Sequence, residues 1–283
     1  MKLIAIDLDG TLLSEDGTIS NENRKAIREK QSRGDIVVIS SGRSLHDTKQ
    51  ILLDAELVCP IITGNGAVAF YSDEILQNLF LEAEVIQELI ETVESYGLYY
   101  ELYTNKGVYV EENGRKFLDR EIQKISKLDA AFEVEAANRI VEIQYEQNGI
   151  TLVSNYKELD YRPLEIYKVF VLSFDLEALA QLRDHLADRK DISLTTSGAQ
   201  KLEIGNPRSS KGNALQFIAE HFAVPLKNTV AIGDNLNDLS MFEKAGTSIA
   251  MENAEEIVKE RATYVTKDHN DDGVAYGLRE YVE

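Results

Sequence analysis

The stretch Leu3-Ile4-Ala5-Ile6-Asp7-Leu8-Asp9-Gly10-Thr11 constrains this chain more than any other. A short continuous apolar run suits a strand buried on both faces of a parallel sheet. The run breaks off into two carboxylates two positions apart, followed by Gly and Thr. If the extended backbone persists through Leu8, the period of two puts Asp7 and Asp9 on the same side. Two carboxylates that close repel, and one is driven protonated unless a cation lies between them. Open α/β sheets place their ligands beyond the strand ends. The stretch therefore predicts a cation-dependent site with a carboxylate available as nucleophile. An Asp-rich turn closing a strand is the bland alternative, so partners downstream decide. A calcium loop is excluded, because Gly10 stands fourth and not sixth, and a strand precedes it.

Such partners follow. Ile36-Val37-Val38-Ile39 is a second buried strand, after a helix that Ser20 caps and that ends near Gly34. It runs into Ser40-Ser41-Gly42-Arg43, a hydroxyl pair, a Gly and a cation before another helix. That combination suits a phosphate, although an ordinary N-cap with a solvated Arg has the same appearance. A third strand at 60–63 leads into Gly64-Asn65-Gly66-Ala67-Val68-Ala69, which matches a dinucleotide fingerprint in letters. The strand formers Val68, Phe70 and Tyr71 stand where a helix should open, so a hairpin of 67–71 with 75–79 is expected instead. Ser209-Ser210-Lys211-Gly212 opens a helix through about Phe222. A Lys in a first turn opposes the helix dipole, so Lys211 needs an anion nearby or is simply exposed. Finally Thr229-Val230-Ala231-Ile232-Gly233 ends in Asp234-Asn235-Leu236-Asn237-Asp238, a second carboxylate cluster at a second strand end.

Between them, residues 83–205 are expected to form their own α+β unit. Helical patterns fall near 83–96, 114–126, 152–160 and 176–189, with strand patterns at 98–103, 107–110, 140–145 and 166–174. Gly205-Asn206-Pro207-Arg208 has linker composition. The insert holds nine of the thirteen tyrosines, which core and sheet packing explains more simply than a substrate surface.

Charge and composition narrow the partners. Thirty basic against forty-nine acidic residues give a net charge of −19, which argues against nucleic acid and anionic membrane. A small anionic substrate remains compatible if a metal and a few cations sit locally. The one cysteine, Cys59, allows no internal disulfide. Asp7 interrupts the apolar start, so no signal peptide is expected, and no apolar run reaches membrane-span length. The expected location is cytoplasmic.

The stretches DLDGTLL, SSGR, SSKG and GDNLND, with the closing Asp272-Gly273-Val274-Ala275, together resemble the four motifs of the haloacid dehalogenase superfamily, and within it the Cof-type phosphatases. The resemblance covers nearly the whole chain; Ser41 stands where the subfamily often has Thr, which keeps the hydroxyl. It implies an α/β fold, with a doubly wound, mainly parallel core of residues 1–82 and 206–283, and an α+β cap of residues 83–205. By position it makes Asp7 the nucleophile and Asp9 the general acid and base, with Ser41 and Lys211 holding phosphoryl oxygens. Mg²⁺ would be bound by Asp7, the Asp9 main-chain carbonyl and Asp234. Asn237 and Asp238 would orient Lys211 or metal waters from behind, and Gly42, Arg43, Asn65 and Asn237 join Lys211 as substrate-binding residues. The implied activity is hydrolysis of small phosphomonoesters, such as sugar phosphates, by a monomer or homodimer. A phosphomutase is the alternative within the superfamily; a receiver-like phospho-switch or an inactive sugar-phosphate-binding protein fits less well.

Overall fold

The computed structural model describes residues 1–283. The chain opens with β1 (Leu3–Ile6), α1 (Asn21–Ser32), β2 (Ile36–Ser40), α2 (Leu45–Asp54), β3 (Ile61–Thr63), β4 (Val68–Tyr71) and β5 (Glu74–Asn78). It continues through α3 (Ala83–Ser95), β6 (Tyr99–Thr104), β7 (Gly107–Glu111), α4 (Gly114–Leu128), α5 (Val134–Glu146) and β8 (Ile150–Val153). Then come β9 (Ile166–Leu172), α6 (Leu176–Leu186), β10 (Ser193–Thr195) and β11 (Lys201–Gly205). It closes with α7 (Lys211–His221), β12 (Thr229–Gly233), α8 (Leu239–Lys244), β13 (Thr247–Ala250), α9 (Glu256–Arg261), β14 (Tyr264–Val265) and α10 (Gly273–Glu280). The elements group into two compact units, residues 1–79 with 208–283, and residues 80–207. No helix is long and apolar enough to cross a membrane.

The first unit is an eight-stranded sheet in the order β14-β13-β12-β1-β2-β3-β4-β5. Its first six strands run parallel, and the β4–β5 hairpin pairs antiparallel at the edge. All four residues of β1 are fully buried, as a central parallel strand requires. Side-chain caps start the helices that matter for the strand ends: Ser20 accepts from the Asn23 amide, Ser44 from Asp47, and Ser210 from Asn213.

The second unit is a six-stranded sheet in the order β10-β11-β9-β6-β7-β8, antiparallel except for β7 with β8. Alternation along its central strands splits the residues in two. Tyr100, Leu102, Val169, Val171, Leu202 and Ile204 pack with Leu89 and Val93 of α3 and Leu182 of α6 in one apolar core. Glu101, Tyr103, Lys168, Phe170 and Glu203 are buried as well, and Lys168 meets Glu203 at 2.6 Å.

Two expectations in this unit are corrected. Residues 140–145 are helix, not strand, because α5 buries Ala137, Val141 and Gln144, a spacing of four and three that only a helix puts on one side. The β-branched and aromatic residues there express packing preference, which yields to the buried face. Residues 152–160 do not form one helix: Gly149, at φ 85°, breaks the chain after α5, 150–153 pair in parallel with β7, and only Tyr156–Glu158 make a single 3₁₀ turn.

Glu101 sets a pH dependence. Its carboxyl is buried and accepts from the Tyr99 hydroxyl at 2.8 Å and the Gln147 amide at 3.1 Å. Burial outweighs those bonds and the nearby Lys168, and pushes its pKa up from 4.5 to about 7. Between those values the folded chain holds a proton that the unfolded chain has released. Stability is therefore full below pH 4.5 and declines as pH rises through 7, a loss of roughly 3 kcal/mol at most. Glu101→Gln is expected to flatten this slope and raise the melting temperature at pH 8 relative to the parent. Thermal unfolding at pH 5 and pH 8 checks it; an unchanged difference between the two would contradict it.

Candidate active site

Register brings the predicted clusters to one edge of the first unit. Ile6 lies beside Ile232 on one side and Ile39 on the other, and Ile39 lies beside Ile61. Asp7, Asp234, Ser41 and Asn65 therefore follow the carboxyl ends of four adjacent parallel strands, where open α/β sheets hold their ligands. The Asp7 amide donates to the Ile232 carbonyl (3.0 Å), the Ser41 amide to Ile62 (2.9 Å) and the Asn65 amide to Ser41 (3.2 Å), so the strand ends are tied together.

Lys211 is at the centre. Its ammonium donates to Asp7 Oδ1 at 2.5 Å and to Asp238 Oδ1 at 2.6 Å, and its side chain is completely buried. Asp238 Oδ2 accepts from the amides of Asp234 (3.0 Å) and Asn235 (3.1 Å), so both of its oxygens are engaged. Asp234 Oδ1 accepts from the Thr11 hydroxyl at 2.7 Å. Burial alone would lower the lysine's pKa, but Asp238 and Asp7 outweigh it and raise the value above the ordinary one. Asp7 is pushed well above the usual carboxylate range by burial, against the pull of Lys211, with Asp238 and Asp234 pushing further. Burial and then Asp238 push Asp234 up to about 7.

Lys211 bonds two of the three carboxylates, Asp7 and Asp238, so one ammonium faces three buried carboxyl groups. One oxygen from each of Asp7, Asp234 and Asp238 lies within 4.8 Å of the others, a spacing suited to one ion. An oxygen-only donor set with excess negative charge fits a hard divalent cation. Asp7 and Asp234 keep oxygens available, whereas Asp238 is committed to Lys211 and two amides.

The extended backbone that would put Asp7 and Asp9 on one side by strand alternation does not persist through Leu8. Asp7 is extended (φ −69°, ψ 162°), but the chain turns at once: the Leu12 amide donates to the Asp7 carbonyl and Leu13 to Leu8. Gly10, at φ 74°, completes the turn, and a Cβ there would meet Asp234 Oδ2 at 2.5 Å. Asp9 is consequently 56% exposed while Asp7 is buried. Arg43 grips Asp9 with both Nε (2.9 Å) and Nη2 (2.7 Å) and reaches buried Asp47 with Nη1 at 2.7 Å. Asp9 ranks behind Asp238 and Asp234 among the carboxylates that perturb Asp7.

The remaining predicted residues fall into place around this centre. Ser41 is fully buried and its hydroxyl accepts from the Arg43 amide at 3.1 Å, across Gly42. Asn65 is left-handed (φ 54°), and its side-chain oxygen accepts from Asn237 Nδ2 at 3.2 Å. Asn237 thus holds Asn65, and its own Oδ1 is a buried acceptor with no partner. The Gly64-Asn65-Gly66 turn serves close approach: a Cβ on Gly66 would lie 2.1 Å from the Ser210 carbonyl, immediately before Lys211. Sequence reasoning missed Thr11, which fixes Asp234, and Asn253, which donates to the Gly10 carbonyl at 2.8 Å. Thr11 lies within the first motif and could have been read as a capping hydroxyl; Asn253 carries no local signal.

Comparison with known proteins shows the family. A family model described as haloacid dehalogenase-like hydrolase matches residues 4–278. The chain is 33% identical to Phosphatase YwpJ of Bacillus subtilis (strain 168), over 282 residues and 99% of both chains. It is 35% identical over 277 residues to 5-amino-6-(5-phospho-D-ribitylamino)uracil phosphatase YwtE of the same organism, covering 98% of this chain and 96% of that one. The solved structure of a haloacid dehalogenase-like hydrolase from B. subtilis superposes with a TM-score of 0.88 at 33% identity, over 100% of both chains. The chain belongs to the haloacid dehalogenase-like hydrolases, and within them it is a Cof-type phosphatase.

Proposed function

We propose that this phosphatase hydrolyses small phosphomonoesters in two steps, with Asp7 as nucleophile and Mg²⁺ as cofactor. The observation that carries the reading is the Asp7 carboxylate held at 2.5 Å by buried Lys211 beside two further buried carboxylates. Asp7, Asp234 and the Asp9 main-chain carbonyl would hold the ion, with Asp238 behind them. When bound, Mg²⁺ supplies the positive charge that lets an anionic nucleophile meet an anionic phosphate.

The side chains supply the rest. Lys211, bonded to Asp7 Oδ1, is placed to neutralise charge on a phosphoryl oxygen as the substrate approaches, and the Ser41 hydroxyl binds another. Asp7 attacks phosphorus, the ester P–O bond breaks, and an aspartyl phosphate forms on Asp7. Asp9 gives a proton to the departing oxygen, then takes one from the water that hydrolyses the intermediate. Arg43 pairs with Asp9, and a phosphate dianion that competes for that guanidinium would release Asp9 to act. The relative YwtE, named for a phosphorylated ribityl compound, supports phosphorylated polyols and sugars as the substrate class.

Metal removal tests the cofactor. After dialysis against excess EDTA, phosphate release from a panel of phosphomonoesters is expected to stop and to return with Mg²⁺. Without the ion, burial and their neighbours hold Asp7 and Asp234 above the usual carboxylate range, so the melting temperature in EDTA should fall as pH rises from 5 to 8, and Mg²⁺ should restore it. Full activity in EDTA would overturn this part of the reading.

A further inference from the structure

Resting on the Mg²⁺ reading above, we infer that Asn253 and His269 are positioning residues. They brace the turn that follows Asp7 and thereby set the affinity of the site for its divalent cation. Asn253 lies between β13 and α9, and His269 between β14 and α10.

The closing part of the chain is bonded, step by step, to the segment between the nucleophile and α1. Asn253 Nδ2 donates to the Gly10 carbonyl at 2.8 Å, and His269 Nδ1 meets the Leu13 carbonyl at 2.7 Å. The Glu15 amide donates to Asn270 Oδ1 at 2.9 Å, the Ser20 hydroxyl donates to Asp272, and the Ala275 amide donates to Asn23 Oδ1 at 2.8 Å. These ties account for the closing Asp272-Gly273-Val274-Ala275, which the proposed reaction leaves without a role. Asp272 is left-handed (φ 56°) at the start of α10, yet its carboxylate bonds Ser20 and not its own helix. A Cβ on Gly273 would lie 2.2 Å from the Lys267 carbonyl, so only glycine lets the segment close.

Two of the ties land on the turn itself. A carbonyl only accepts, so His269 carries its proton on Nδ1, and its Nε2 accepts from Asn270 Nδ2 at 3.2 Å. Asn253 uses both ends of its amide, since its Oδ1 accepts from the His269 amide at 3.1 Å, and the two braces therefore hold each other. The Gly10 carbonyl belongs to the peptide that joins Gly10 to Thr11. Holding that peptide fixes what flanks it: the Thr11 hydroxyl, which bonds the proposed ligand Asp234 at 2.7 Å, and the Asp9 carbonyl, a proposed ligand itself. Lys211 and Ser41, which would bind phosphoryl oxygens, are held by other bonds. Loss of a brace should therefore weaken the cation and spare substrate binding once the cation is saturating.

Thermal unfolding of the EDTA-dialysed full-length protein across a Mg²⁺ titration measures the affinity without turnover. Asn253→Ala and His269→Ala should each raise the half-saturating Mg²⁺ concentration about tenfold, the low end for partners that orient metal ligands. The Mg²⁺ concentration for half-maximal phosphate release should rise by the same factor, while KM for p-nitrophenyl phosphate at saturating Mg²⁺ stays within about twofold of the parent. His269→Asn, whose amide can donate to the same carbonyl, should recover most of the affinity. Arg279→Ala cuts bonds to Glu22 and Glu29 on α1 instead of the turn, and should leave the affinity unchanged. Unmoved Mg²⁺ affinity in both alanine variants, an equal shift in Arg279→Ala, or no recovery in His269→Asn would each overturn the inference with the cation reading intact. A parent whose melting temperature ignores Mg²⁺ would overturn both.

Discussion

Asp7→Asn is expected to lower phosphomonoester turnover by a factor on the order of 10⁵ or more, the scale on which nucleophile removal acts elsewhere. The substitution keeps the shape of the side chain and its place opposite Lys211, and removes the attacking charge. Because burial and the neighbouring carboxylates already oppose ionisation of Asp7, the amide relieves repulsion that the parent carries. The melting temperature in EDTA should accordingly equal or exceed that of the parent, a gain in stability coupled to loss of function. Turnover within about tenfold of the parent would remove Asp7 from the role of nucleophile.

Lys211→Met carries the second large effect. The thioether fills the buried channel, but the donors to Asp7 and Asp238 are gone. Turnover should fall on the order of 10²–10³-fold, as expected for loss of one preorganised cationic donor. Folding should suffer too: removing one partner from a buried charged cluster costs about 3–5 kcal/mol, because Asp7 and Asp238 stay behind uncompensated. Asp7, already held above the usual carboxylate range, then takes up a proton on folding more readily, so the loss is smaller at pH 5 than at pH 8. Steady-state rates and thermal unfolding with and without Mg²⁺ measure both effects. Near-normal rates would mark Lys211 as a structural counter-ion only.

What the sequence made legible follows from how local each signal is. Buried parallel strands announce themselves as apolar runs, so Leu3–Ile6 and Thr229–Gly233, with the carboxylates that end them, were readable. The unfavourable first-turn position of Lys211 left either a nearby anion or simple exposure, and the fold supplies two carboxylates. The side on which Asp9 points was not readable, because it depends on a turn closed by bonds from Leu12 and Leu13 and on a left-handed Gly10. Nor was the role of Asn237, whose partner Asn65 lies 172 residues away. In the second unit, residues 140–145 had strand composition and helical burial, and only packing could arbitrate.

The central claim is a covalent intermediate on Asp7. Rapid acid quench of Asp9→Asn during turnover of an aryl phosphate, whose leaving group needs no proton, should trap it, since the second step depends on the missing base. Borohydride reduction of an aspartyl phosphate converts that residue to homoserine, and tandem mass spectrometry of the tryptic peptide spanning Leu3 to Arg24 then locates it. The account predicts homoserine at position 7 and nowhere else. Product formation with no modified residue, or modification at a carboxylate other than Asp7, would contradict it.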